Sequence, residues 1–168
     1  MICPYCSTEN IEGADQCSNC GQSLYGLDLP EAGKYPTAPF MDQPLGRIPQ
    51  RDAVKAQTTD PVAFAIRRMK QENTGAILIM EGERLVGIIT GTDILLKVAG
   101  PKEDLNAITC GQIMTPDPVV FHYDDSIALA LNKMSIGEYR HIPIVRNDRP
   151  VSVIDVNDVF RFITPNLV

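Results

Sequence analysis

"GAILIMEGERLVGIITGTDILL", residues 75–96, decides how this 168-residue chain is read. Residues 76–80 and 85–90 are two short apolar runs rich in Ile, Leu and Val, joined by the charged, glycine-containing turn "EGER". Runs of that length around such a turn predict an antiparallel β-hairpin. Beyond Thr90 the pattern changes. "DILLKVAG" has helical apolar spacing and an expected stop at Gly100, with Asp93 expected to cap a helix beginning at Ile94.

Upstream, "TDPVAFAIRRMKQEN" (residues 59–73) predicts an amphipathic helix, with Asp60 as N-cap, Pro61 at the first helical position and Val62, Ala65, Ile66 and Met69 on one face. "DAVKA" before it reads as a short strand. The unit is strand, helix, strand, strand, helix. It recurs 65 residues later without a gap: Asp60 matches Asp125, Met69 matches Met134, Ile77 matches Ile142, Arg84 matches Arg149, and Asp93 matches Asp158. A duplication of this length signals two copies of one supersecondary unit. One copy buries a small core, and two packed sheet to sheet bury a larger one.

The chain opens differently. "ICPYCSTENIEGADQCSNCG" (residues 2–21) carries two Cys-x-x-Cys pairs, Cys3/Cys6 and Cys17/Cys20. Cys-Pro-Tyr-Cys is also the tetrapeptide of glutaredoxins, but that chemistry needs a preceding strand and a helix N-terminus to lower a thiol pKa. With Met1 and Ile2 alone ahead of Cys3, no such strand is expected, and a polar, glycine-containing stretch follows Cys6. Disulfides do not suit the reducing compartment expected here. Two facing knuckles instead supply four thiolates for a tetrahedral metal: zinc first, iron in a rubredoxin-like cage as the alternative. The segment has almost no core beyond Ile2, Tyr5, Ile11 and Leu24, so the metal is expected to supply most of its folding free energy. "CPYCS" and "CSNCG" resemble the knuckles of small zinc ribbons. With all four ligands used, the metal is structural. Cys110, the odd thiol, reads as a small apolar residue.

Between ribbon and repeats, residues 21–46 hold Pro30, Pro36, Pro39 and Pro44 among four glycines, which predicts an extended connector. Tyr25, Leu27, Leu29, Tyr35 and Phe40 make part of it too apolar for a free tether. The units are therefore a zinc ribbon (1–24), a Pro/Gly-rich linker (25–46) and two repeats (47–105 and 110–168). Residues 1–46 carry six acids and one base, the rest 15 acids and 14 bases. The acidic ribbon disfavours nucleic-acid binding. The absence of an 18-residue apolar run and of a signal-peptide pattern leads to the expectation of a cytoplasmic protein with no membrane span.

The two repeats, with "LVGIITGTDILL" after "GAILIM" and "IMTPDPVVFHYDDSIALALNKMSIGEYRHIPIV" in the second copy, resemble a tandem pair of CBS domains, also called a Bateman module. The resemblance covers residues 47–168. It implies an α/β (α+β) fold of two βαββα repeats packed about a pseudo-two-fold, with two clefts that in many members bind adenosyl ligands. Carried onto this sequence, it implies a cleft with Thr90 and Thr92 as hydroxyl donors, Asp93 as ribose acceptor, and Ile88 beside them. Arg140 would face phosphate, His141 would add a donor, and Met114, Val119, Tyr139 and Pro143 would line the base. The second copy departs from the pattern: Asp155 stands where Thr90 does, and Gly75 where Arg140 does. That cleft is expected to bind phosphates poorly.

No nucleophile with an adjacent base, glycine-rich phosphate loop or open carboxylate pair is present in the sequence, so no enzyme is expected. The reading is a regulatory sensor that binds an adenine nucleotide (AMP, ADP or ATP) and signals to an unidentified protein partner. A homodimer is expected through the helices at 60–72 and 125–136. The alternative is a ligand-independent dimeric scaffold whose ribbon docks a partner.

Overall fold

A computed structural model describes residues 1–11, 13–24, 40–98, 104–137 and 139–166. The first repeat runs β1 (Lys55–Gln57), α1 (Val62–Gln71), β2 (Ala76–Glu81), β3 (Arg84–Thr90) and α2 (Gly91–Lys97). A short helix α3 (Cys110–Ile113) and strand β4 (Thr115–Pro116) lead to the second repeat. That repeat is β5 (Phe121–His122), α4 (Ile127–Gly137), β6 (His141–Arg146), β7 (Arg149–Asp155) and α5 (Val156–Ile163).

The hairpin of residues 76–90 forms with Ile77 opposite Ile89 and Leu78 opposite Ile88, and β1 joins it parallel to β2. The second copy reproduces it, with Ile142 opposite Ile154 and β5 parallel to β6. Even the irregularities repeat at the same offset: the register shifts at Ile79/Met80 in one hairpin and at Ile144/Val145 in the other. Each lead-in crosses to the opposite repeat. β4 pairs with β3, while Asp52 bridges Ser152 and the Ala53 amide donates to the Val151 carbonyl at 2.9 Å. This exchange makes the two copies one unit.

Two cores lie between helices and sheets, one around Val62, Ala65, Ile77 and Ile89, the other around Phe121, Ile127, Ile142 and Ile154. A third layer (Ala76, Leu78, Met80, Ile88) fills the space between the sheets and meets Val153. The β2 burial pattern explains its sequence: five consecutive buried residues need both faces covered, so no polar alternation survives.

Three boundaries differ from the expectations. Pro61, not Asp60, caps α1; the Asp60 carboxylate instead accepts from the Gln57 amide at 2.7 Å and closes the preceding turn. α2 begins three residues before Ile94. Thr90 is its N-cap, and Asp93 reaches back from the third helical position to complete a capping box. Gly100 lies outside the described residues. α3 was not anticipated, because four residues are too few to show apolar periodicity; Thr109 and Gln112 form its capping box.

Of the connector, Phe40 is buried, and Gln43 and Met41 carbonyls accept from the Ile127 and Ala128 amides at 3.0 Å each. Tyr25, Leu27, Leu29 and Tyr35 lie outside the described residues. Among the described residues no helix is long and apolar enough to cross a membrane.

Candidate metal centre and inter-repeat clefts

The two knuckles are copies at a spacing of 14 residues. Cys3 and Cys17 amides donate to the Thr8 and Gln22 carbonyls, and the Ser7 and Gly21 amides return to the Cys3 and Cys17 carbonyls. The residue after each second cysteine turns into the left-handed region, Ser7 at φ 57° and Gly21 at φ 69°. Asn10 braces one knuckle against the other: its amide donates to the Thr8 carbonyl and Cys17 Sγ, while its oxygen accepts from the Ser18 amide at 2.8 Å.

This places all four sulfurs within 4.8 Å of one another, with Cys3–Cys20 at 3.7 Å and Cys6–Cys17 at 3.5 Å. Four ligands at zinc–sulfur bond length around a tetrahedral centre would stand about 3.8 Å apart. The donor set therefore fits one tetrahedral ion of thiolate preference. The proton affinities agree. Hydrogen bonding with the Thr8 side chain and amide holds Cys6 down to about 5. A backbone hydrogen bond from Gln22 favours the Cys20 thiolate, but the crowding sulfurs and burial push it up to about 12. Four thiols this close cannot all ionise without a cation between them.

The ribbon is docked on α4. Lys133, 2% exposed, donates to Asp15 Oδ1 at 3.0 Å and to the Gly13 carbonyl at 3.4 Å, and the Ile136 side chain packs on Gly13.

The sequence-derived cleft residues fall into separate groups. Thr90, Asp93 and the second repeat's Thr115 meet at one point. Asp93 is buried and accepts from the Thr90 amide (2.8 Å) and hydroxyl (2.7 Å), Lys97 Nζ (2.7 Å) and Thr115 Oγ1 (3.0 Å). Burial raises its carboxyl pKa, but the hydrogen bonds from Lys97, Thr90 and Thr115 outweigh that and hold it below the ordinary value. Met114 lies over Gly87. Ile88 and Pro143 are buried, Val119 is half-buried and Thr92 is exposed. Tyr139, Arg140 and His141 line a concavity with Met134 and Asp155 that does not include Asp93.

A cavity of about 410 Å³ opens instead on the other side, between Arg51 and Thr74 of the first repeat and His141, Asp155, Asp158 and Arg161 of the second. His141 crosses the pseudo-dyad: a Cβ on Gly75 would lie 2.6 Å from its Nε2. Burial lowers the His141 pKa, opposed by the Asp155 and Asp158 carboxylates. Asp158 accepts from the Asp155 amide at 3.0 Å and lies 4.0 Å from Arg161, so it is far less engaged than Asp93. Sequence reasoning missed Arg161 and Lys97. Both were visible in the repeat alignment, where Arg161 replaces Leu96 and Lys97 stands four residues after Asp93, the spacing of a helical ion pair.

Comparison with known proteins adds the family. A model described as the CBS domain matches twice, at residues 45–100 and 110–165. The Arabidopsis thaliana CBS domain-containing protein CBSCBSPB5 is 36% identical over 94 residues, 55% of this chain but only 17% of that protein. The chain thus spans about a sixth of that plant relative's length. Bacillus subtilis YlbB, an uncharacterized protein, is 34% identical over 103 residues, covering 60% of this chain and 68% of its own length. Among solved structures, the CBS domain pair of MJ0100 in complex with 5′-methylthioadenosine and S-adenosyl-L-methionine superposes with a TM-score of 0.62 at 24% identity, over 71% of this chain and 98% of that one.

Proposed function

The chain belongs to the CBS-domain family, and from that premise we propose that it is a regulatory, non-catalytic sensor of an adenosyl ligand, carrying a structural zinc ion in its N-terminal ribbon. The observation that supports this most is the inter-repeat cavity beside Asp158, which is lined from both copies and carries a carboxylate engaged by the Asp155 amide at 3.0 Å and by Arg161 at 4.0 Å, with acceptor capacity left for a ribose. Asp158 would hold the ribose hydroxyls, His141 would donate to the ligand, and Arg51 and Arg161 would meet an anionic group. Four carboxylates (Asp52, Glu72, Asp155, Asp158) against those two guanidiniums favour an adenosyl group of low negative charge over ATP. S-adenosylmethionine, methylthioadenosine and AMP meet that condition. The sequence-derived cleft at Thr90 and Asp93 is the second site, reached once Lys97 yields.

Occupancy would be passed on through self-association and a protein partner. Among the large exposed apolar side chains, Leu95 and Leu96 on α2 and Val156 and Phe160 on α5 support a homodimer built on these helices in place of the helices at 60–72 and 125–136, the second of which carries the ribbon at Lys133 and Ile136. Titration calorimetry with AMP, ADP, ATP, S-adenosylmethionine and methylthioadenosine tests the reading. Micromolar binding of at least one is expected. Binding of none overturns the sensor and leaves the dimeric scaffold.

A further inference from the structure

α4 and α1 are the same helix of the repeat, yet their outward faces differ in a consistent way. α1 shows Arg67, Arg68, Lys70 and Gln71; at the matching positions α4 has Asn132, Lys133, Ser135 and Ile136. In α1, Arg68 pairs within its own helix with Glu72 at 3.4 Å, on the surface. The residue matching Glu72 in α4 is Gly137, so Lys133 has no such acidic neighbour four residues on. Lys133 instead reaches Asp15 and the Gly13 carbonyl of the ribbon, and its ammonium is buried there. Gln71 becomes Ile136, whose side chain fills the space above Gly13 so closely that a Cβ there would lie 2.5 Å from Ile136 Cγ2. Gly13 itself sits at φ 81°, a conformation suited to glycine. One cationic position that keeps its charge and one polar position that becomes apolar thus both face the ribbon in the second repeat.

The ribbon side of this contact is held by the second knuckle. Asp15 accepts the Leu24 amide at 2.8 Å through its carbonyl, and Gln16 bridges Ser23 in the second knuckle. On the other side, α4 ends at Gly137 and leads directly into Tyr139, Arg140 and His141, which line the clefts.

We propose that the ribbon is a metal-dependent clamp on α4, with Asp15–Lys133 and Gly13–Ile136 among its contacts, and that it positions the α4–β6 segment carrying His141. Asp15, Lys133 and Ile136 are positioning residues: they act on the cleft through the helix. The metal dependence rests on the structural-metal reading above, whereas the contact itself does not.

Hydrogen exchange by mass spectrometry on the full chain, with metal content measured on each sample, tests it. In the zinc-loaded protein, peptides within 129–141 should be protected. Chelation, Asp15→Asn, or Ile136→Gln (the residue of the first repeat) should each speed exchange there by about tenfold. Peptides of α1 (62–71) should not change. Asp15→Asn and Ile136→Gln should keep one metal per chain and shift the imidazole resonances of His141, one of two histidines. If Asp15→Asn loses its metal through misfolding of the ribbon, Ile136→Gln, which lies outside the ribbon, carries the test alone. Unchanged exchange in 129–141 in the variants overturns the clamp, as does a uniform acceleration that includes α1. A protein that holds no metal yet protects 129–141 overturns the metal reading and the metal dependence while leaving the contact in place.

Discussion

Lys97 Nζ lies 2.7 Å from Asp93 Oδ1, and the same ammonium donates to the Ile113 carbonyl at 2.7 Å. Thr115 adds a third strand to this knot, so the carboxylate that would receive a ribose in the first cleft is tied to the second repeat's lead-in. Its counterpart Asp158 has Phe162 four residues on in place of Lys97 and carries no such tie. The repeats therefore use matching aspartates differently: one stitches, one faces a cavity.

Lys97→Met should separate the two roles. The lysine side chain is 42% exposed but its partner Asp93 is buried, and the Ile113 carbonyl also loses its donor, so the change should cost about 1–3 kcal/mol of stability. The freed carboxylate should let a second adenosyl ligand bind, raising calorimetric stoichiometry from one to two per chain. A stoichiometry that stays at one means that Lys97 does not close the first cleft.

Asp93 also sets an acid limb. Its carboxyl lies below the ordinary value in the folded chain, so the folded state binds fewer protons than the unfolded state as pH falls toward 4. The stabilisation is complete above that ordinary value and is lost as pH drops through the lower, folded one. Urea unfolding between pH 5 and 3 should show a shallower loss of stability in Asp93→Asn than in the unaltered chain. Parallel curves would mean that the carboxylate is not held down.

The order of elements was legible because β-runs, an amphipathic helix and an exact 65-residue offset each carry a periodic signal. The ribbon was legible from the pairing of Cys3/Cys6 with Cys17/Cys20, since spacing alone brings four sulfurs together. What could not be read was which carboxylate is already satisfied. That depends on Thr115, 22 residues from Asp93, and on a lysine rotamer, neither of which leaves a local pattern. Nor could the sequence show that α4 has a second neighbour. The difference between Gln71 and Ile136 takes its meaning from Gly13, far away in the chain, and leaves no local pattern.

The ligand reading assigns Asp158 the ribose. Asp158→Ala should weaken adenosine and AMP alike by about 1.5–3 kcal/mol, as loss of a charged acceptor does, or roughly ten- to hundredfold in Kd. Asp93→Ala should leave that Kd within about threefold while lowering thermal stability through the lost stitch. If Asp93→Ala abolishes binding and Asp158→Ala does not, the first cleft is the primary site.

The ribbon should hold one zinc per chain, visible in native mass spectrometry. Cys3→Ser and Cys20→Ser each remove one ligand of four and should abolish tight binding. Because Cys3, Cys17 and Leu24 are the buried residues of its small core, the ribbon should unfold with metal loss. A ribbon that keeps its exchange protection after complete chelation would contradict this.

Gly75 gives the most local test of the cavity. A Cβ at this position would stand 2.6 Å from His141 Nε2 and 3.2 Å from Cε1, both on a side chain that can swing aside. Gly75→Ala should therefore leave the thermal midpoint nearly unchanged while driving the imidazole away from its present place against Gly75. Ligand affinity should fall, because the histidine loses its position and its displaced ring takes up cavity volume. The double variant Gly75→Ala, His141→Ala separates these effects. If displaced bulk is the cause, removing the ring restores binding toward that of His141→Ala alone; if the lost donor is the cause, Gly75→Ala and His141→Ala are equally weak and the double variant is no weaker. Gly75→Ala binding as tightly as the unaltered chain would place the ligand away from the Gly75–His141 contact, and with it away from the pseudo-dyad.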